Sequence, residues 1–461
     1  MKHFFKQFLY GTMTAALLIT SVPVTAYADD PTDWPQPPEI TSEAAVVMEA
    51  STGSILYNKG AYDAHYPAST TKLMTSLLAI EQCPLSDIVT CSRASVESIG
   101  WDSSRIGLVA GEQVDMENAL YAILLASANE VSYAVAEHIG GTVENFVALM
   151  NKRAAELGCV NTNFSNPHGL DDESHYSCPY DLALIAKKAI EYTTFRRISG
   201  SHYHKIPETN LNVARDIGNT HQILRRKIAC EGVFAGKTGS TSKAGNCLVT
   251  CAERDGMTLI CVIMKSPDST TVYNETIALL DYAFKNFSLS PVSTSVDTKN
   301  AFPVLFDDQE ALISEVSSPL SVSDTTLVLP KGASYADLTK EISLLPSNAF
   351  TSGENIIGEV SYYYADNYVG SAKILYHSEK AVIVNPTPTP TPPLSDNAVS
   401  TGSTGKTDTT IDTAVEDDND LRPLIIGILV GAIVLVAGLY LVVIEIPYRK
   451  KKRAYDRKYR R

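Results

Sequence analysis

The spacing of hydrophobic and polar positions predicts a strand hairpin followed by a helix near the start of the chain. Residues 44–50 are almost entirely apolar, and residues 54–59 return after a Ser-Thr-Gly turn, which indicates two paired strands. Leu73, Leu77 and Ile80 recur at helical spacing instead. A helix with one buried face is therefore expected directly after the hairpin.

The same patterns continue to residue 287 and predict a mixed fold. Helical patterns cover most of residues 120–192, and residues 246–253 and 257–264 flank an Asp-Gly pair typical of a hairpin. Residues 277–287 are predicted to form a closing helix. Strands on either side of a helical block favour one sheet with helices packed on it. We expect an α+β domain over residues 40–288.

The pattern changes after residue 290, and four further segments are predicted. Residues 291–384 carry short strand-like runs and are expected to form a small β-rich domain. A Pro/Thr/Ser-rich linker is expected over residues 385–422. Residues 423–444 include 21 consecutive uncharged residues and predict a transmembrane helix. The basic tail, residues 445–461, is then expected in the cytoplasm.

The N-terminus has the features of a secretory signal. Lys2 and Lys6 precede a short apolar run, and Ala26-Tyr27-Ala28 fits a cleavage site. We expect residues 1–28 to be removed; a retained N-terminal anchor is the alternative. Both readings place the body of the protein outside the cytoplasm. With residues 1–28 removed, we expect a single-pass protein of the cell membrane, held at its C-terminal end.

Composition excludes some classes of function. The 461 residues have a net charge of −14, which argues against a nucleic-acid partner for the main body. Eight cysteines are too few for a disulfide scaffold in a chain of this length. Cys83 and Cys91 are candidates for a pair, which the sequence leaves open.

The first candidate for chemistry is Ser69, which lies three residues before Lys72 on the predicted helix. Residues three apart share a helix face, so a hydroxyl stands beside an amine. Serine is a weak nucleophile unless an adjacent base activates it, and an amine serves when burial or a cationic neighbour lowers its pKa. Alone, this pair more often marks a surface face of a helix.

Two later segments strengthen the hypothesis. Ser127 and Asn129 form an S-x-N motif 58 residues after Ser69, and a Lys-Thr-Gly motif begins 110 residues later at Lys237. Each motif alone is weak, because the former also fits a helix C-cap and the latter a surface turn. In this order the three match the set found in β-lactamases and penicillin-binding proteins.

Longer matches around these motifs resemble one family. Residues 67–75 (Pro-Ala-Ser-Thr-Thr-Lys-Leu-Met-Thr), residues 166–172 (Asn-Pro-His-Gly-Leu-Asp-Asp) and residues 236–245 (Gly-Lys-Thr-Gly-Ser-Thr-Ser-Lys-Ala-Gly) resemble serine-type D-alanyl-D-alanine carboxypeptidases. These low-molecular-weight penicillin-binding proteins, peptidase family S11, act on bacterial cell walls. The resemblance covers residues 44–287 and implies a β-lactamase/DD-peptidase-like fold. The C-terminal transmembrane helix differs from the amphipathic helix of some members.

The resemblance also implies the chemistry. A serine acyl-enzyme would remove the terminal D-alanine from peptidoglycan stem peptides, β-lactams would acylate the same serine, and no metal or cofactor is implied. The backbone N–H groups of Ser69 and Ser240 would form the oxyanion hole. The implied site comprises a nucleophile, Ser69; a proton acceptor, Lys72; a proton relay, Ser127; and the substrate-binding residues Asn129, Lys237, Thr238, Gly239 and Ser240.

The chain departs from the family pattern at two points. The second motif reads Ser-Ala-Asn-Glu instead of Ser-Gly-Asn-Asp, and Glu130 is not expected to take part in the chemistry. Some members bind the substrate carboxylate with an arginine in a loop that corresponds to residues 219–222 here, which contain none. Thr238 and Lys237 are the candidates for this task, and His168 is expected to line or support the site.

Three alternatives remain open. A β-lactamase would need a group that activates the deacylating water, and this class fits less well because the second domain, the linker and the membrane anchor suit an enzyme directed to the wall. A DD-endopeptidase would differ in pocket shape, which the sequence does not give. A non-catalytic β-lactam sensor is the alternative from another class, although the basic tail carries no recognisable signalling domain.

Overall fold

The computed structural model describes residues 34–292, 320–345, 349–378 and 382–383, all of which belong to one compact unit. The predicted signal peptide, linker, transmembrane helix and basic tail lie outside the described residues. Within the described ranges, no helix is both long and apolar enough to cross a bilayer.

Helices occupy mainly the segment between the first hairpin and the later strands. They are α1 (Lys72–Gln82), α2 (Arg93–Glu97), α3 (Met116–Leu124), α4 (Asn129–Gly140), α5 (Val143–Glu156), α6 (Pro179–Ala189), α7 (Thr193–Ser199) and α8 (Ser269–Asn286). A short 3₁₀ helix, Ala68–Thr71, leads into α1, and another, Tyr335–Asp337, lies in the C-terminal part.

The strands fall into one large sheet and several smaller ones. In chain order they are β1 (Ala44–Glu49), β2 (Ile55–Lys59), β3 (Ile88–Thr90), β4 (Gln113–Asp115), β5 (Tyr203–Ile206), β6 (Arg215–Gly218), β7 (Val233–Thr241), β8 (Gly245–Arg254), β9 (Met257–Ser266), β10 (Phe287–Pro291), β11 (Leu320–Val322), β12 (Thr326–Pro330), β13 (Thr339–Leu344), β14 (Ala349–Phe350), β15 (Gly353–Tyr364), β16 (Asn367–Ser378) and β17 (Val382–Ile383).

The large sheet is antiparallel, with the strand order β2-β1-β9-β8-β7. Strand β1 is buried along its whole length because both faces of the sheet are covered. Val46 and Met48 face the cluster formed with α1, α3, α4 and α6, whereas Ala45 and Val47 face the cluster formed with α8. The α+β architecture of the sequence prediction is confirmed. Strand β7 forms one edge of the sheet and β2 the other.

Both predicted hairpins and the closing helix are present, with one boundary corrected. The β8–β9 turn places Asp255 and Gly256 at positive φ, as the Asp-Gly pair predicts. Helix α8 starts at Ser269 instead of residue 277 because the Asp268 side chain accepts hydrogen bonds from the backbone N–H groups of Thr270 and Thr271. This N-cap satisfies donors that a helix start otherwise leaves unpaired.

The C-terminal part is β-rich, as predicted. Its largest sheet has the order β11-β16-β15-β13, and Val360, Tyr362 and Ile374 belong to a hydrophobic cluster of its own. Strand β10 follows α8 directly and pairs with β12. The domain boundary at residue 291 stays a prediction, because the chain runs from one part into the other without an intervening linker.

Candidate active site

Ser69 lies on a tight turn that ends where α1 begins. The 3₁₀ helix Ala68–Thr71 carries the serine, and Lys72 is the first residue of α1. Ala68 has a φ of 49°, which is unusual for a residue with a side chain. The sequence analysis placed Ser69 in the first turn of an α-helix; the structure places it one 3₁₀ turn earlier.

The Lys72 amine has three partners. Its Nζ lies 2.9 Å from Ser69 Oγ, 2.6 Å from Asn129 Oδ1 and 2.6 Å from the carbonyl oxygen of His168. The side chain is completely buried, and burial together with the nearby Lys237 holds the pKa of Lys72 well below the ordinary value for lysine. A neutral amine in this position can accept the proton of the Ser69 hydroxyl.

The second motif occupies the connection between α3 and α4. Ser127 has a φ of 59°, and Asn129 is the first residue of α4. The Asn129 backbone N–H donates to the Ser104 carbonyl at 2.9 Å, and the Thr220 N–H donates to the Leu125 carbonyl at 2.9 Å. These bonds hold the connection from both sides, so Ser127 keeps its left-handed conformation. The Ala128 N–H also donates to the Ala122 carbonyl at 3.1 Å, so the motif closes the end of α3 as well as carrying Ser127.

The third motif lies within edge strand β7, a strand that the sequence analysis did not predict. Lys237 Nζ donates to Ser127 Oγ at 3.1 Å and to the Thr238 carbonyl at 2.9 Å. Burial lowers the pKa of Lys237 to about 7. The site therefore contains two buried lysines, each hydrogen-bonded to one serine.

Gly239 brings β7 against the nucleophile turn. A Cβ at this position would lie 2.9 Å from the Pro67 carbonyl oxygen and 3.1 Å from the Ser69 backbone nitrogen. A glycine is needed because a side chain would force the strand away. The backbone of the third motif thereby adjoins the N–H group of Ser69.

An open cavity of about 230 Å³ joins these groups. It is lined by polar side chains and backbone from all three motifs, and Leu248, Val272 and Tyr273 supply an apolar part. The Thr220 and Thr238 hydroxyls lie 2.8 Å apart at the cavity. None of the described residues that line it is a lysine or an arginine. Five of the eight predicted site residues line this cavity, and Lys72, Asn129 and Lys237 are joined to them by hydrogen bonds behind it.

The family model of D-alanyl-D-alanine carboxypeptidases, peptidase family S11, matches residues 32–268. The chain belongs to this family. The D-alanyl-D-alanine carboxypeptidase DacF of Bacillus subtilis is 33% identical over 346 residues, which cover 74% of this chain and 85% of the relative. DacA of Haemophilus influenzae is 29% identical, over 79% of this chain and 93% of the relative.

Solved structures agree in fold. The penicillin binding protein 5 of Haemophilus influenzae superposes with a TM-score of 0.60 and 27% identity, over 75% of this chain and 99% of that protein. The DD-transpeptidase of Streptomyces K15 gives a TM-score of 0.51 and 28% identity, over 54% of this chain and 100% of that protein. The predicted carboxypeptidase family and its fold are therefore confirmed.

This carboxypeptidase holds the turn that carries Ser69 through a histidine that the sequence analysis missed. His175 is buried, its Nδ1 accepts the Ser165 backbone N–H at 2.9 Å, and its Nε2 lies 2.8 Å from Thr71 Oγ1. Because Nδ1 accepts, Nε2 carries the proton and donates to Thr71, whose hydroxyl donates to the Ala68 carbonyl at 2.8 Å. No spacing in the sequence linked His175 to Ser69, 106 residues earlier.

His168 and Glu130 support the site without facing the reacting atoms. The His168 backbone carbonyl accepts from Lys72, as the predicted supporting role requires. Glu130 is buried, and its carboxylate accepts the backbone N–H groups of Ile106 and Gly107 at 2.8 and 3.0 Å. Its negative charge also opposes the lowering of the pKa of Lys72.

The cysteines do not form a disulfide framework in the carboxypeptidase. All eight lie within the described residues and are free thiols, including the candidate pair Cys83 and Cys91. Cys91 Sγ lies 3.0 Å from Ser95 Oγ instead. Cys247 and Cys251 are buried on β8, where they belong to the hydrophobic core.

Proposed function

We propose that this enzyme, a serine-type D-alanyl-D-alanine carboxypeptidase, uses Ser69 as its acyl-ester nucleophile and Lys72 as the general base. The observation that carries this assignment is the 2.9 Å contact of a buried Lys72 amine with Ser69 Oγ. Serine becomes an effective nucleophile only with such a base. The substrate is a peptidoglycan stem peptide that ends in D-alanyl-D-alanine.

Acylation begins when Ser69 Oγ attacks the carbonyl carbon between the last two D-alanines. The hydroxyl proton passes to Lys72 Nζ, and the carbonyl oxygen becomes an oxyanion. The backbone N–H groups of Ser69 and Ser240 are the proposed donors to this oxyanion. The approach of Gly239 to the Ser69 nitrogen supports the pairing, because it brings the two backbone segments side by side.

Breakdown of the tetrahedral intermediate cleaves the peptide bond. The leaving D-alanine nitrogen takes a proton from Ser127 Oγ, and Lys237 Nζ, 3.1 Å from that oxygen, restores it. A lysine with a pKa of about 7 is suited to give a proton at neutral pH. The proton held by Lys72 then passes to bulk water, and Lys237 takes one up again. Neutral Lys72 next accepts a proton from the water that attacks the Ser69 ester and returns it to Ser69 Oγ as the acyl group leaves. A β-lactam would acylate Ser69 by the same first step.

Asn129 is proposed to hold Lys72 and to bind the substrate amide. Its Oδ1 accepts from Lys72 at 2.6 Å, which fixes the direction of the lysine amine. The Asn129 Nδ2 group remains as a donor for a substrate carbonyl.

The substrate carboxylate is proposed to bind at Thr238, Thr220 and Lys237. The two threonine hydroxyls lie 2.8 Å apart at the cavity, and both can turn to donate to carboxylate oxygens. Lys237 supplies the positive charge from behind the strand when it is protonated. Thr220 extends the set expected from the sequence and lies in the loop where other members carry arginine.

The decisive experiment measures D-alanine release by the full-length protein from a peptide ending in D-alanyl-D-alanine. Ser69→Ala should abolish both release and labelling by a fluorescent penicillin, whereas Ser201→Ala, a serine outside the cavity, should keep both. Labelling without release would favour the DD-endopeptidase or the sensor, and rapid loss of the label would favour a β-lactamase. Absence of both in the unmodified protein would refute the assignment of Ser69.

The cellular location is proposed from the sequence and from the family. The catalytic domain would face the wall outside the cytoplasm, held by a single membrane span over residues 423–444. An uncharged run followed by a basic tail supports this orientation. Release of the protein from membranes by removal of residues 423–461, with retained penicillin labelling, would test the anchor.

A further inference from the structure

Three side chains of types that can ligate a metal lie together at the far end of the two helices that begin at the active site. Helix α1 begins with Lys72 and is followed by Cys83, and α4 begins with Asn129 and carries His138 in its last turn. Asp87 lies four residues after the cysteine. Eleven helical residues separate the group from the site by roughly 15 Å.

We propose that Cys83, Asp87 and His138 form a binding site for a divalent transition metal, with Zn²⁺ as its natural occupant. The cysteine sulfur, a carboxylate oxygen and an imidazole nitrogen all lie within 4.8 Å of one another. No other such group was found among the described residues. The chemistry assigned to Ser69 does not involve this site.

The donor set favours Zn²⁺ over the hard cations. Thiolate, imidazole and carboxylate are its usual ligands, at bonds of about 2.0–2.3 Å, whereas Ca²⁺ and Mg²⁺ select oxygen atoms. Bonds of these lengths place the ligands of a tetrahedral site roughly 3.5 Å apart. Small side-chain rotations would close the observed group to that size, and water would fill the fourth position.

The backbone positions two of the ligands in advance. The Cys83 N–H donates to the Ala79 carbonyl at 3.1 Å and so ends α1 at a fixed point. The Asp87 N–H donates to the Pro84 carbonyl at 3.1 Å, and the Asp87 carbonyl accepts from the Met116 N–H at 2.8 Å. These hydrogen bonds fix the backbone from Cys83 to Asp87, so metal binding would require little further ordering of this segment.

The third ligand already contacts the second. His138 Nε2 lies 3.5 Å from Asp87 Oδ2, and these side chains are 28% and 38% exposed. An ion from solvent can reach this depth, while the surrounding protein removes part of the competing water. Pairing with each other would explain why Asp87 and His138 are in contact. It would not explain why the Cys83 sulfur lies beside them, and this sulfur is the soft ligand that distinguishes a zinc site.

The expected role is structural. A metal bound here would link the end of α1 to the end of α4, two helices that carry Lys72 and Asn129 at their opposite ends. Because an ion that binds only the folded state stabilises it, Zn²⁺ should raise the melting temperature. D-alanine release should not require the metal, so the failure of this proposal would leave the assignment of Ser69 intact.

The test uses the full-length protein, freed of metal by a chelator and titrated with Co²⁺ and then Zn²⁺. We expect one equivalent of Co²⁺ to give a thiolate-to-metal charge-transfer band that Zn²⁺ removes. Cys83→Ser should abolish the band, and His138→Ala should weaken Zn²⁺ binding at least about tenfold, the loss typical even of outer-shell changes. Penicillin labelling of each variant checks that it is folded.

Cys230→Ser is the matched control. Cys230 is also a partly exposed free thiol, but its sulfur accepts from Arg254 at 3.7 Å. This variant should keep the Co²⁺ band and the rise in melting temperature with Zn²⁺, and Cys83→Ser should lose both. The proposal is overturned if the unmodified protein shows no saturable binding, if Cys83→Ser binds equally well, or if Cys230→Ser loses the band as well.

Discussion

The backbone of Gly239 lies against that of Ser69, so that a Cβ on the glycine would stand 3.1 Å from the serine nitrogen. This contact joins edge strand β7 to the turn before α1, two segments separated by about 160 residues. It places the Lys-Thr-Gly motif beside Ser69 and explains why a residue without a side chain stands at position 239.

Gly239→Ala should impair acylation while leaving the fold intact. The added methyl group would push β7 away from Ser69 and separate the two proposed oxyanion donors. We expect penicillin acylation to slow by about 10²–10³-fold, the effect of losing one such donor. Gly100→Ala is the control, because its Cβ would meet only the Asp102 side chain. An unchanged acylation rate in Gly239→Ala would contradict the proposed oxyanion hole.

Asn129→Asp should shift the pH dependence of acylation to higher pH. The new carboxylate would lie where Oδ1 now stands, 2.6 Å from Lys72 Nζ, and would raise the pKa of the lysine. Acylation needs neutral Lys72. The decrease in acylation rate that accompanies protonation of this lysine would therefore occur at a higher pH than in the unmodified protein. Rates of penicillin acylation measured across a pH series would show the shift.

Glu130→Gln should move the same profile in the opposite direction. The Glu130 carboxylate favours charged Lys72, and its removal should lower the pKa of Lys72 further. The acid limb of acylation would then move to lower pH, while the amide oxygen can still accept from Ile106 and Gly107. Equal midpoints in Glu130→Gln and Asn129→Asp would refute the role of Lys72 as the base.

Buried histidines should make the fold sensitive to acid. Burial lowers the pKa of His168 and His221 to about 3 and that of His175 to about 4, from 6.5. Below pH 6.5 the unfolded chain binds protons that the folded chain does not, so stability falls on acidification. Urea unfolding should show up to about 1.4 kcal/mol lost per pH unit for each histidine.

His175→Gln should reduce the loss of stability per pH unit on acidification by the contribution of one histidine. The variant removes the titrating ring but keeps a side chain that can hydrogen-bond near Thr71. His202→Gln serves as the control, because His202 is exposed. A slope between pH 4 and 6.5 that stays the same in His175→Gln would show that the folded protein already protonates this ring.

Lys237→Met should flatten the stability profile on the alkaline side. The pKa of Lys237 is about 7 in the folded chain against 10.5 for an ordinary lysine, so only the unfolded chain stays protonated between these values. Stability therefore rises with pH in this window, by up to about 1.4 kcal/mol per unit. The variant should lose this rise in urea unfolding; Lys205→Met, at an exposed lysine, should keep it.

Local sequence was sufficient for the elements that depend on near neighbours. The apolar run of β1, the Asp-Gly turn between β8 and β9 and the helical spacing after Ser69 each predicted an element that the structure contains. The start of α8 was missed because a cap at Asp268, not apolar periodicity, determines it. Capping depends on one side chain, which a periodic pattern does not register.

The sequence by itself also singled out the residues that are proposed to carry the chemistry, because three short motifs follow one another in the order typical of this family. Only the tertiary structure decided how they meet: Lys237 reaches Ser127 across 110 residues, and His175 holds the turn through Thr71. It also decided that both lysines are buried deeply enough for their pKa values to fall. Contact and burial depend on segments far apart in the chain, and no local pattern records them.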